Sequence, residues 1–330
     1  MLCLLTFIAC DATKWKKLWN PVSPWTIKAD MPTERASLSC AVLKEKIYAI
    51  GGYDWVMELG MFFIPSYGES SLQTVEVYDP RTDMWMEAPS LLTDRFGHVS
   101  ATIDGKIYVF GGKKLDSIYS GEFGPVFAYS FLSSVEVYDP LKEAWFEKST
   151  MPTARMQLGC AVVNGKVYLI GGIGESYPPL STVEEYDPLT NSWQEKAPMP
   201  TPRYGLTCAV VDNKVYAIGG IGMGDSLQVV EEYDPTTNSW KRRSPMTLLK
   251  GKVACGVVNN KIYVMGNCDH IEVYDPATDT WEIGYYMLTT RSNIACTVVN
   301  NKIYVIGGDI VDDGQWAMAI VEEYDPSIGE

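Results

Sequence analysis

The sequence predicts an all-β protein, a six-bladed β-propeller of four-stranded antiparallel blades whose ring is closed by an N-terminal strand near Trp25 completing the C-terminal blade. Three observations predict it. One pattern of apolar runs and turn residues recurs six times at about 51 residues per copy, within the range of propeller repeats. The runs are short, rich in Val, Ile and Tyr, and separated by Gly, Asn, Asp and Pro. The first and last copies are incomplete in complementary ways.

The plainest copy runs from Arg203 to Trp240: two apolar runs after the Arg, the second ending in Gly219-Gly220, then a loop, a run ending Tyr233-Asp234-Pro235, and a Trp seven residues after that Tyr. The register holds throughout. Trp25, Trp85, Trp145, Trp193, Trp240 and Trp281 are each followed ten residues later by a basic residue, Arg35, Arg95, Arg155, Arg203, Lys250 and Arg291. Sixteen residues further on stand Gly51, Gly111, Gly171, Gly219, Gly266 and Gly307, doubled everywhere except at Gly266-Asn267. Tyr78, Tyr138, Tyr186, Tyr233, Tyr274 and Tyr324 each open a Tyr-Asp-Pro. Trp25 has no such tripeptide before it and Tyr324 has no Trp after it, so the two ends are halves of one blade, and joining them protects both sheet edges.

Repeats of this composition and spacing resemble Kelch repeats, and the chain resembles a six-bladed Kelch β-propeller over essentially everything after residue 22. The expected division is an apolar N-terminus and tether over 1–22 and the propeller over 23–330. The resemblance implies a scaffold whose members serve as partner-binding modules, substrate receptors and, less often, enzymes, so function is argued from the site.

Composition narrows the partners. With 27 Lys and Arg against 41 Asp and Glu the net charge is −14, which argues against nucleic acid, whose phosphates are bound by Lys and Arg, and against an anionic membrane surface. The opening MLCLLTFIAC is too short to span a bilayer. As an export-signal remnant it would place the protein outside the cytoplasm or in the cell envelope, although it lacks a positive n-region; otherwise the location is cytoplasmic. A monomer is the default.

Most singled-out residues have structural explanations. In the first strand of each blade, alternate positions are bulky and the ones between are small, which lets neighbouring blades nest. Cys40, Cys160, Cys208, Cys255 and Cys296 share one position there, so they are read as packing residues and not as metal or redox thiols. His98 shares its position with Leu38, Leu158, Leu206, Val253 and Ile294 and is read as a core histidine. His270 beside Cys268 and Asp269 has no second cluster to complete a coordination sphere, and Asp309, Asp312 and Asp313 lack the spacing of a calcium loop. No metal or cofactor is expected. Paired glycines permit positive φ and close backbone approach, the Asp of Tyr-Asp-Pro bonds the following backbone, and the Tyr and Trp rings fill the spaces between blades.

Function is expected on the face that carries the connections from second to third strand. The distance from Gly to Tyr is 27 residues in blades one and two against 15, 14, 8 and 17 in the others. Both long insertions are expected to be loops and are aromatic: Tyr53, Trp55, Met57, Met61, Phe62, Phe63 and Tyr67 in the first; Tyr119, Phe123, Phe127, Tyr129 and Phe131 in the second. They form either a binding surface of interface type or a cap that buries its own rings. The basic circle of Arg35, Arg95, Arg155, Arg203, Lys250 and Arg291 belongs to the same face. It is either an anion-selecting mouth or a set of ion pairs with Glu76, Glu136, Glu184, Glu231, Glu272 and Glu322, each two residues before the repeat Tyr.

The leading expectation is a non-catalytic propeller that recognises a protein segment or a glycan on this face. The alternative from the resemblance is an enzyme like the Kelch-type sialic-acid mutarotases, with an Arg and a Glu at the channel mouth for acid–base work. Copper oxidases of this architecture need two His and two Tyr, which two His in the whole chain, one in a core position, do not supply. A third alternative is a substrate receptor of a ubiquitin ligase, which would make the sequence a fragment, since such receptors carry an adaptor domain before the propeller.

Overall fold

The computed structural model describes residues 23–59, 65–121, 124–248, 250–310 and 316–328. It contains six four-stranded antiparallel sheets and two two-stranded ones among those residues. Blade one shows the plan: inner strand Ser39–Leu43, then Lys46–Ile50, Val75–Asp79 and the outer Met84–Glu87. In blade six the strands Ala295–Val299, Lys302–Ile306 and Val321–Tyr324 are joined by Trp25–Ile27, with Trp25 opposite Tyr324 and Ile27 opposite Glu322. The first and last ends of the repeat array thus close the ring, as the incomplete copies require.

The blades are held by what lies between them. Where blade six meets blade one, Met31, Leu38, Ile47 and Tyr78 pack on Ala295, Val299, Tyr304 and Ile306, all buried, and the other blade junctions repeat the scheme. The repeat Tyr and Trp lie side by side on adjacent strands, ring centroids 5.1 Å apart for Tyr78 and Trp85 and 5.0 Å for Tyr233 and Trp240. The indole N–H then crosses to the preceding blade, Trp85 donating to the Ala29 carbonyl at 2.9 Å and Trp240 to that of Ala197 at 2.9 Å. The repeat Asp caps its own turn: Asp187 accepts from the Leu189 N–H at 2.9 Å and Asp234 from that of Thr236 at 2.9 Å.

Blade five departs at its Gly-Asn. Gly266 takes φ 102° and Asn267 φ 58°, the reverse of the order in the Gly-Gly blades, while the Asn267 N–H still reaches the Arg291 carbonyl of the next blade at 3.0 Å. Asn tolerates the left-handed region better than other side chains, which is why this blade manages with one glycine.

The long insertions of blades one and two are not irregular loops. Tyr53–Leu59 pairs with Pro65–Ser71, and Lys113–Gly121 with Gly124–Phe131, each a two-stranded hairpin rising from the second-to-third-strand face. A hairpin satisfies the backbone hydrogen bonds that a long irregular loop would leave to water, and the aromatic and β-branched content of both segments suits strands.

Candidate functional site

The hairpin face has three layers. Innermost is the basic circle, and it lies inside the blades. Arg35, Arg95, Arg155, Arg203, Lys250 and Arg291 each have 0 % exposure. In each blade the cation precedes the inner strand and the glutamate sits on the third strand, so the long Arg spans the second strand to reach it. Arg35 meets Glu76 at 2.6 Å, Arg155 meets Glu184 at 2.9 Å, Arg203 meets Glu231 at 2.6 Å and Arg291 meets Glu322 at 3.0 Å; Arg95 pairs with Glu136, and Lys250 stands 3.6 Å from Glu272. The remaining donors go to carbonyls, Arg203 to Thr201 and Ala217 at 2.9 and 3.0 Å. The glutamates in turn hold the connection that precedes the Arg, through the hydroxyls of Thr33, Thr153 and Thr201 at 2.7–2.8 Å. Burial lowers the pKa of the guanidinium groups from its usual value and the glutamates oppose that shift. Of the two arrangements open for this circle, an anion-selecting mouth or ion pairs with the repeat Glu residues, the second is the one present: the six side chains have no exposed area and each lies against its glutamate within the blade.

Next comes the channel mouth. Ser37, Gly97, Gln157, Gly205, Lys252 and Asn293 occupy one position per blade, all with φ between 49° and 62°. Their backbones link around the opening: the N–H of Gly97 donates to Ser37, Gln157 to Gly97, Gly205 to Gln157 and Lys252 to Gly205, at 2.6–2.8 Å. The Ser37 N–H donates to Asn293 at 2.8 Å across the closing junction. Below the rim a channel of about 220 Å³ runs between the inner strands, with Cys40, Ser100, Cys160, Cys208, Cys255 and Cys296 on its wall. The Cys255 sulfur turns to the neighbouring blade, 3.1 Å from the Thr207 hydroxyl and 3.3 Å from the Cys208 carbonyl. Burial raises the thiols of Cys40 and Cys160 to about 12 and that of Cys255 to about 11. His98 is 4 % exposed, packed against Gly51, and its pKa is held well below 6.5 by burial and by Arg95 and Arg35.

Outermost are the hairpins. They lean on each other and on the rim, with Tyr53 and Phe96 buried and Trp55, Tyr129 and Met156 partly buried around them. Tyr53 contacts Trp55 and Phe96 edge-on at 5.4 and 5.3 Å. The Tyr129 hydroxyl accepts from the Glu69 N–H at 2.9 Å, the Lys113 ammonium lies 4.0 Å from the Tyr129 ring centroid, and Phe127 lies on Gly68. Tyr53 also donates to Asp309 of blade six at 2.7 Å, and Asp309 accepts in addition from Ser292 and Asn293 at 2.6 and 2.8 Å. Asp309 is therefore engaged in closing the ring; Asp312 and Asp313 lie outside the described residues. So do Met61, Phe62, Phe63 and Phe123, and the side chains of Met57 and Tyr67 are not described.

Of the aromatic candidates, Trp55, Phe127 and Tyr129 face the cap, and Tyr119 stands out at 54 % exposure. Sequence reasoning missed the rest of the rim: Tyr177 in blade three, Met223 in blade four and Trp316 in blade six are 75 %, 85 % and 66 % exposed, each on the connection from second to third strand. It also missed a ring on the opposite face, a Lys eleven residues after each member of the basic circle, which in five of the six blades pairs with the Asp of Tyr-Asp-Pro. That spacing was visible in the repeat. Among the described residues no three His, Cys, Asp or Glu side chains converge on a metal-sized space, and no helix is long and apolar enough to cross a membrane.

Comparison with known proteins agrees with this architecture. The family model for the KLHDC2/KLHL20/DRC7 Kelch-repeats domain matches residues 128–308, more than half of the chain, and the Kelch motif matches 34–92, 94–152 and 290–330. Human Kelch-like protein 34 is 33 % identical over 154 residues, 46 % of this chain and 21 % of that protein. Beta-scruin of Limulus polyphemus is 28 % identical over 153 residues, covering 46 % and 14 %, and Kelch-like ECH-associated protein 1A of Danio rerio 29 % over 112, covering 34 % and 17 %. The matches thus span less than a quarter of these relatives. The solved structure of YjhT superposes with a TM-score of 0.70 at 18 % identity, over 89 % of this chain and 96 % of that one, a likeness of fold. Six recurrences of one spacing, six matching blades and the match of the family model converge: the chain belongs to the Kelch-repeat family.

Proposed function

We propose that this chain is a non-catalytic binding propeller that engages a protein segment on its hairpin face. One observation carries the reading: Tyr119, Tyr177, Met223 and Trp316 each project from the same face on a different blade, at 54–85 % exposure. Large apolar side chains placed singly need no explanation, but four on one rim around the hairpin cap match the aromatic and Met-rich composition of interface anchors. The hairpins supply a pre-formed platform, so little ordering entropy opposes binding. The relatives fit the reading, one of them being named for its association with ECH. An acid–base role for the repeat Arg and Glu is disfavoured, because both partners of each pair are buried within the blade.

The test compares two sets of surface changes in binding to a displayed peptide library and a glycan array. One set converts Tyr119, Tyr177 and Trp316 to Ser. The control set converts Leu141 and Leu189, 88 % and 86 % exposed on the turns of the opposite face, to Ser. Peptides selected on the wild type should lose at least tenfold in affinity for the first set and bind the second unchanged. The reverse pattern, or selection of glycans instead of peptides, overturns the proposal.

A further inference from the structure

The face opposite the hairpins repeats a charge pair. In five of the six blades the Lys at the start of the second strand pairs with the Asp of Tyr-Asp-Pro at the end of the third. Lys46 meets Asp79 at 3.5 Å, Lys106 meets Asp139 at 2.9 Å, Lys166 meets Asp187 at 3.8 Å, Lys214 meets Asp234 at 3.4 Å and Lys302 meets Asp325 at 3.6 Å. In three blades a third-strand Glu adds to the hold: Glu185 at 2.9 Å from Lys166, Glu232 at 3.5 Å from Lys214 and Glu323 at 2.7 Å from Lys302.

Blade five breaks the series. Val273 stands where those blades have Glu, and among the described residues Lys261 and Asp275 make no ion pair. Asp275 uses one carboxylate oxygen to cap its turn at the Ala277 N–H, 2.9 Å away, and the other has no partner among the described residues.

A cavity of about 410 Å³ opens at this spot, between blades four and five, and both Lys261 and Asp275 line it. Its size falls in the range of about 300–1,000 Å³ typical of small-molecule sites. The blade-four wall offers Arg243, which is committed to Glu232 at 2.5 Å, and Lys214, held as above. Among the described residues, the wall groups without an ion-pair partner are one ammonium, Lys261, and two carboxylates, Asp275 and Asp212, with the carboxamides of Asn259 and Asn260 beside them.

We propose that this cavity binds a small zwitterion, a molecule that carries an ammonium and a carboxylate on a short aliphatic spacer. Its carboxylate pairs with Lys261 and accepts from an Asn carboxamide, and its ammonium pairs with Asp275 and Asp212. A lone anion would face two carboxylates and a lone cation would face Lys261, so neither satisfies the walls as a zwitterion does. Charge-assisted hydrogen bonds at both ends fix the orientation.

The probes are γ-aminobutyrate and 6-aminohexanoate, with butyrate and butylammonium as single-charge controls, titrated into the full chain by calorimetry and amide NMR. At least one zwitterion should bind at least tenfold tighter than either control, shifting amides of blades four and five. Lys261→Met keeps the aliphatic stem, and Asp275→Asn keeps the turn acceptor. Each should cost at least tenfold. Equal binding of butyrate, absence of binding by both zwitterions, or unchanged affinity in both variants overturns the proposal. The wild-type probe series decides the preference even where a variant folds poorly. Loss of peptide binding on the opposite face leaves this test unaffected.

Discussion

Gly171 and Arg203 meet across a blade junction so closely that a methyl group on Gly171 would lie 2.6 Å from the Arg203 carbonyl oxygen, while the next N–H along, that of Gly172, donates to the same oxygen at 3.0 Å. Gly171 also has φ 63°. The doubled glycine is therefore a contact between blades as well as a turn. Gly165, in the turn after the inner strand of the same blade, has φ 72°, and a methyl group there would meet only open space.

The pair separates strain from collision. Gly165→Ala carries only the positive-φ cost of about 1–2 kcal/mol. Gly171→Ala carries that cost and must push the Arg203 backbone away, breaking the Gly172 bond as well. We expect the urea midpoint of Gly171→Ala to fall at least twice as far as that of Gly165→Ala. Equal shifts would show that the junction yields freely.

The Arg203–Glu231 pair calls for a double-mutant cycle in urea. Removing one partner leaves an uncompensated buried charge, so Arg203→Met or Glu231→Gln alone should cost about 3–5 kcal/mol. The double change should cost well under the sum, because neither charge is then left alone. Additive losses would mean that the two groups do not depend on each other.

Much of this was legible in the sequence because propeller packing is periodic. The spacing of Arg203, Gly219, Tyr233 and Trp240 recurs because each blade solves the same contacts with its neighbours, and a repeated solution leaves a repeated pattern. The exposed rim was not legible. Tyr177, Met223 and Trp316 stand in connections of different length, where no period marks them and no packing constrains them. The basic circle was legible in position but not in role: whether an Arg before a strand faces solvent or spans the blade to a Glu depends on how deep the strand sits, which the linear spacing of Arg35 and Glu76 does not encode. In the second hairpin the strand alternation is interrupted by a register shift between Leu115 and Ser117, which hides it from a reading by period; the first pairs without a break.

The channel thiols should resist alkylation in the native state. With pKa raised to about 12 by burial, Cys40 and Cys160 carry about one thiolate in 10⁴ molecules at pH 8, and Cys255, at about 11, about one in 10³. Labelling with iodoacetamide at pH 8, mapped peptide by peptide, should be far slower at these sites than at a free thiol, because so little thiolate is present, and should accelerate with urea. Native-state labelling of Cys40, Cys160 or Cys255 at the rate of a free thiol would contradict the raised pKa.

His98 provides a prediction whose sign is fixed by its surroundings. Burial first, then the charges of Arg95 and Arg35, hold the ring neutral well below the usual pKa. The unfolded chain takes up a proton near pH 6.5 that the folded chain refuses, so this residue's contribution is intact above that pH and is lost as pH falls through it. Each unit below about 6.5 costs roughly 1.4 kcal/mol until the folded pKa is reached. His98→Leu places there the residue that Leu38, Leu158 and Leu206 provide in other blades, with no titrating group. Its unfolding free energy should match the wild type within about 1 kcal/mol at pH 8 and exceed it progressively from pH 6.5 to 5, measured by urea denaturation at each pH. The remaining acid response, below about pH 4, belongs to carboxylates such as Asp79, lowered to about 2 by Arg81, and is the same in both chains. Parallel curves for the two proteins between pH 8 and 5 would mean that His98 is protonated in the folded state.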